Sequence, residues 1–161
     1  FKIKAGAGKS AKFVNKESLT IKTIQSEEEN KELVLKGLNV LVVEDSQDNQ
    51  MLIDIYLQNL GAQINSAYDG REGVESALKN SYDVVLMDVQ MPQMDGHQAA
   101  RKLRSLGYTR PIVALTAHAM SEERAKCLDS GFNDFLTKPI QRDLLVDTLA
   151  RYIPKNSELR H

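Results

Sequence analysis

Three short, continuous apolar runs constrain this chain more than any other feature: Val40–Val43, Val84–Met87 and Ile112–Leu115. A strand with one wet face alternates apolar and polar residues. An unbroken run of Val, Leu and Ile suits a parallel strand covered on both faces. Two weaker runs, Gln63–Ala67 and Asp134–Leu136, fill the intervals. Between the runs lie stretches with helical spacing. In the first, Met51 and Ile55, and Leu52, Tyr56 and Leu60, recur at four-residue intervals before Gly61, a natural C-terminal stop. Further helices are predicted over Gly70–Asn80, Gly96–Leu106, Ser121–Ser130 and Gln141–Tyr152. Five strands alternating with five helices define a doubly wound α/β fold.

With 161 residues the chain has room for one such domain plus flanking segments. Charge divides it unevenly. Residues 1–36 carry eight Lys and five acidic residues, and the remainder carries an excess of acid that brings the total to −1. Residues 1–36 read as a linker or the tail of an upstream domain, 37–154 as the folded domain, and 155–161 as a C-terminal tail. Phe1–Lys4 and Leu19–Lys22 alternate at strand period over too few residues to define strands. Gly6-Ala7-Gly8-Lys9-Ser10 imitates the end of a phosphate-binding loop, but the position that needs the leading glycine is Ile3. A single cysteine, Cys127, is read as a small buried side chain in a reducing compartment. The near-neutral charge and the lack of a long apolar run predict a cytoplasmic domain with no nucleic-acid partner and no direct membrane contact.

A parallel open sheet places its ligand site beyond the carboxyl ends of its strands. There the first strand ends in Glu44-Asp45, the third in Asp88 and the fourth in Thr116, and the fifth leads into Lys138-Pro139. Clustered carboxylates repel one another, by roughly 4 kcal/mol per pair about 4 Å apart at an effective dielectric of 20, so the group demands a cation. All-oxygen ligands select Mg²⁺ over Zn²⁺, with Mn²⁺ as its substitute. Such an ion also binds phosphoryl oxygens. Lys138 adds a point charge, Thr116 a hydrogen-bond donor, and Asp88 a carboxylate nucleophile for phosphorus.

Val42-Val43-Glu44-Asp45, Leu86 through Gly96 (LMDVQMPQMDG), Ala114-Leu115-Thr116-Ala117 and Leu136-Thr137-Lys138-Pro139 together resemble the receiver domains of response regulators and hybrid histidine kinases. The resemblance covers about residues 38–153. It implies a flavodoxin-like (βα)5 fold with strand order 2-1-3-4-5. It further implies that Asp88 is the phosphoacceptor, and that Asp45, Asp88 and the Gln90 backbone carbonyl ligate the metal, with Glu44 acting through water. Thr116 and Lys138 would contact the phosphoryl group. Phe135 occupies the place of a rotating switch aromatic, and Gln90 and His118 flank the path of the hydrolytic water. The expected donor is a histidine kinase core or a histidine phosphotransfer protein. The expected output is a surface on the fourth helix, fifth strand and fifth helix. Glu44 through Gln50 (EDSQDNQ) looks most like receivers fused to hybrid sensor kinases, whose parent chains can be membrane-anchored. The isolated domain is expected not to be an enzyme beyond its own phosphorylation and dephosphorylation.

Blander roles compete for several of these residues. Glu44-Asp45 could merely start a helix, Phe135 could be ordinary core, and Ser121 suits the cap of the fourth helix better than Thr116 does. His97 and His118 are set aside as metal ligands because neither has a second ligand at helical spacing. Two other functions fit the class. One is a receiver-like docking module that is never phosphorylated. The other is an aspartyl-phosphate phosphatase, which needs a second Asp where this chain has Gln90.

Overall fold

The computed structural model describes residues 34–155; Phe1–Lys4, Gly6–Ser10 and Leu19–Lys22 lie outside them, as does all but the first residue of the C-terminal tail. Five strands, β1 (Asn39–Val43), β2 (Gln63–Ala67), β3 (Val84–Asp88), β4 (Ile112–Thr116) and β5 (Asp134–Thr137), alternate with five helices. These are α1 (Gln47–Asn59), α2 (Gly70–Lys79), α3 (Gly96–Ser105), α4 (Ser121–Ser130) and α5 (Arg142–Ala150). The strands form one parallel sheet in the order β2-β1-β3-β4-β5. The fold expected from the apolar runs and the resemblance is the fold observed.

The unbroken apolar runs have the predicted cause. Every residue of β3 and β4 is buried, and alternate side chains supply opposite faces of the sheet. Leu41, Val43, Val85, Met87 and Ala114 pack with α2, α3 and Cys127 of α4. Val40, Val42, Leu86, Val113 and Leu115 pack with Ile53 and Leu57 of α1 and with Leu145 and Leu149 of α5. The second cluster also takes in Leu35, which is fully buried and donates its amide to the Leu60 carbonyl at 2.9 Å. The packed unit therefore starts before Gly37, where composition alone had set the boundary.

Two local expectations are corrected. The buried side of α1 is Gln50, Ile53 and Leu57, whereas Met51, Leu52 and Ile55 are exposed. Apolar residues surround this helix, so four-residue spacing matches more than one face and cannot choose between them. Gln50 is accommodated because its amide donates to Asp54 and to Ser66 of β2. Ser121 does not cap α4; Met120 holds the cap position and provides no side-chain hydrogen bond. By contrast Ser46, Asp69 and Asp95 cap α1, α2 and α3, and Asp95 forms a reciprocal capping box with Gln98.

That capping box sits where α3 begins, against the end of β3. Gly96 donates its amide to the Val89 carbonyl at 2.9 Å, and a Cβ on it would lie 2.3 Å from the Asp88 carbonyl oxygen. Only a glycine lets the helix start this close to the strand end. Gly96→Ala should therefore cost about 1–3 kcal/mol in urea denaturation, as overpacking against backbone does. Gly107, at φ +86° with open space around it, is the contrast. Gly107→Ala should cost only about 1 kcal/mol, from left-handed backbone strain. Equal losses at both positions would mean that close packing at Gly96 is unimportant.

Candidate functional site

The carboxyl edge of the sheet collects the expected groups. Glu44 follows β1 and is fully buried; Asp88 ends β3 and is almost fully buried; Asp45 is exposed beside them. One carboxylate oxygen from each of the three lies within 4.8 Å of the others. Lys138 reaches in from beyond β5, with Nζ 2.8 Å from Glu44 Oε2 and 3.0 Å from Asp88 Oδ2. Its backbone is fixed by an amide hydrogen bond to the Thr116 carbonyl at 2.8 Å, and the Lys138-Pro139 peptide is cis. Asp88 Oδ1 accepts the Gln90 amide at 3.1 Å.

Charge follows from burial. Asp88 is pushed up to about 6, first by loss of solvent and further by the Glu44 charge, with the Lys138 hydrogen bond and charge opposing. Burial works against the Lys138 ammonium, yet its hydrogen bonds and attraction to Glu44 and Asp88 outweigh that and hold its pKa above the ordinary value. Glu44 Oε2 is paired with the Lys138 ammonium at 2.8 Å, the positive side chain that Glu44 and Asp88 share. Three carboxylates with no nitrogen or sulfur ligand among them make a hard-oxygen donor set that fits Mg²⁺.

The remaining candidates surround this pocket. Thr116 is buried at the end of β4, where its hydroxyl donates to the His118 carbonyl and accepts the His118 amide. Its hydroxyl is thus turned into its own loop. Gln90 and His118 are exposed, and with Thr116 they line a cleft of about 400 Å³. Phe135 is half-buried on β5 beneath the Arg124 guanidinium of α4, 4.5 Å from its ring centre. It is neither closed core nor free surface. Cys127 is buried, and burial together with the Glu123 charge raises its pKa, so the thiol form dominates at neutral pH.

A sheet edge carrying a buried acidic pocket, a reaching lysine and a hydroxyl strand end is the arrangement that the resemblance to receiver domains implies. The chain belongs to the response regulator receiver domain family, which it matches over residues 40–150. The sensor histidine kinase RcsC of Salmonella typhimurium is 41% identical over 121 residues, covering 75% of this chain and 13% of that protein. The chain thus spans about an eighth of the length of such curated relatives. The receiver domain of the sensor histidine kinase PA1611 from Pseudomonas aeruginosa, solved with magnesium in its active-site cleft, is 41% identical with a TM-score of 0.67. That match covers 73% of this chain and 98% of that one. The structure of the Saccharomyces cerevisiae phosphotransfer protein Ypd1 with the receiver domain of Ssk1 gives 30% identity and a TM-score of 0.69, covering 72% and 88%. This is a two-component receiver domain of the kind found in hybrid sensor kinases. No helix among the described residues is long and apolar enough to cross a membrane.

The raised Asp88 value sets a pH dependence. Without metal the folded protein binds this proton more tightly than the unfolded chain does, whose carboxyl titrates near 4. The stability from Asp88 is therefore complete below about pH 4 and is lost as pH rises through about 6. Asp88→Asn should raise Tm in chelator at neutral pH, with the gain shrinking to nothing as pH falls toward about 4. A gain independent of pH would mean that Asp88 titrates as an ordinary surface carboxylate.

Proposed function

We propose that this domain accepts a phosphoryl group on Asp88 from a phosphohistidine and thereby switches a docking surface. The donor is a histidine kinase core or a histidine phosphotransfer protein. One Asp88 carboxylate oxygen forms a bond to phosphorus as the P–N bond breaks, and the imidazole leaves as the neutral base after taking a proton. Mg²⁺, held by Asp45, Asp88 and the Gln90 carbonyl with Glu44 acting through water, would neutralise charge on the transferring group; Mn²⁺ would substitute. Burial keeps competing water from Asp88, and Lys138 lies on its Oδ2 side, ready to pair with a phosphoryl oxygen. The observation that carries this reading is the Lys138 ammonium bridging two buried carboxylates at the strand ends.

A phosphorylated carboxylate carries about two negative charges where there was one. Lys138 would exchange its contact with Glu44 for a phosphoryl oxygen, and Thr116 would turn its hydroxyl from the His118 carbonyl to another. Phe135 and Arg124 above it then transmit the change to a surface on α4, β5 and α5. Support comes from the looseness of α4, which buries only Cys127 and Ser130 and lacks a side-chain cap. Gln90 and His118 at the cleft would govern hydrolysis, and so the lifetime of the phosphoryl group. The exposed Met51, Leu52 and Ile55 of α1, the helix that follows Asp45, offer an apolar face for the donor. In the parent chain, a hybrid sensor kinase, the residues before 34 would tether the domain to a cytoplasmic kinase core. The isolated domain would turn over only its own phosphoryl group.

The test is mass measurement of intact protein after incubation with Mg²⁺ and acetyl phosphate. Wild type should gain one base-labile phosphoryl group, and Asp88→Asn none. Chelation should abolish the gain. Equal labelling of wild type and Asp88→Asn would refute the assignment.

A further inference from the structure

Away from the carboxylate pocket, a second group of ligand-bearing side chains meets between α3 and α4. His97 lies in the first turn of α3 and is buried; Glu123 and Cys127 are one turn apart on α4. His97 Nε2, or its partner nitrogen, a Glu123 carboxylate oxygen and Cys127 Sγ all lie within 4.8 Å of one another. The ring is fixed by an edge contact to Phe132, with centroids 5.8 Å apart, and by two polar contacts. Nδ1 is 2.7 Å from Ser130 Oγ, and Nε2 is 3.1 Å from Glu123 Oε1.

The protons in this network can be counted. Ser130 has one hydroxyl proton, which the Lys126 carbonyl at 2.8 Å or His97 Nδ1 at 2.7 Å can take. When the carbonyl takes it, His97 carries its proton on Nδ1, donates to Ser130 Oγ, and turns its Nε2 lone pair toward a Glu123 carboxylate oxygen at 3.1 Å. In that tautomer Nε2 and the carboxylate are placed to ligate one metal ion. A thiol at the same point adds a third donor.

We infer that His97, Glu123 and Cys127 form a second metal site, one that takes Zn²⁺. One nitrogen, one oxygen and one sulfur donor suit a borderline ion and do not suit Mg²⁺. On binding, Cys127 releases its thiol proton to solvent and the His97 Nε2 lone pair enters the coordination shell. The charges of thiolate, carboxylate and Zn²⁺ then sum to zero, as a largely buried site needs. Ser130 is the outer partner that sets the histidine tautomer and ring direction. Access is open from the cleft of about 400 Å³ that runs from Gln90 and Thr116 to His97 and Glu123, leaving room for water as a fourth ligand. The ion would join α3 to α4, whose own anchoring is slight.

Cys127 is the chain's sole cysteine, so a thiolate-to-metal absorption band can arise nowhere else. The full chain, with Mg²⁺ in excess to fill the carboxylate pocket, is titrated with Co²⁺. A thiolate-to-cobalt band should saturate at one equivalent and be discharged by Zn²⁺. Cys127→Ser should abolish it, Glu123→Gln should weaken Co²⁺ binding at least about tenfold, and Asp88→Asn should leave it unchanged. No band in wild type would overturn the site. A band whose affinity is the same in Glu123→Gln would overturn it too, by showing that cobalt binds the thiol alone. Glu123 is partly exposed, so this variant decides the matter even where substitution of buried His97 disturbs folding.

Discussion

Lys138 stands between two buried carboxylates, and much of the structure exists to make that placement tolerable. Glu44 follows β1 and Asp88 ends β3, neighbouring parallel strands whose register pairs Val43 with Met87 and so brings the next two residues side by side. Burying either charge alone would cost several kcal/mol. The ammonium, 2.8 and 3.0 Å from them, offsets part of that cost. Asp88 still rises to about 6, so compensation is incomplete. The pocket is thus a deficit of positive charge, which a divalent ion would complete and to which a phosphoryl group would bring fresh negative charge with its own demand for Lys138.

The scaffold supplies rigidity on one side of this pocket and slack on the other. β3 and β4 are buried throughout, and α3 starts against β3 through Gly96 with a full capping box. The α4 side differs: no side-chain cap, two buried residues, and Arg124 lying over half-buried Phe135. A change of charge at the strand ends would therefore find its response on the α4 side. The His97–Glu123–Cys127 cluster stands on that same lightly buried helix, where the proposed ion would join it to α3.

What could be read in the sequence divides by distance along the chain. The strands were legible because burial on both faces leaves unbroken apolar runs, and the site was legible because a parallel sheet puts its strand ends together. Glu44, Asp88, Thr116 and Lys138 need only that topology to converge. The buried face of α1 was not legible, since Met51, Leu52, Ile53, Ile55, Tyr56 and Leu57 surround the helix and only the sheet determines which of them it meets. Leu35 belongs to a triplet, Leu33-Val34-Leu35, too short to announce an element, and its amide bonds the Leu60 carbonyl from a distant part of the chain. His97 was passed over for want of a ligand on its own helix. Its partners Glu123 and Ser130 lie 26 and 33 residues away, a proximity that arises only when α4 packs beside α3.

The central claim is that the carboxylate pocket lacks positive charge and that Lys138 and a divalent ion supply it jointly. Urea denaturation of wild type and Lys138→Ala, each in chelator and in Mg²⁺, tests this directly. In chelator the substitution should cost about 3 kcal/mol, the lower end for a broken buried pair because Lys138 keeps about a fifth of its side chain exposed. Saturating Mg²⁺ should recover most of the loss. The same loss with and without Mg²⁺ would contradict the account, because it would show that the ion does not share the charge that Lys138 neutralises.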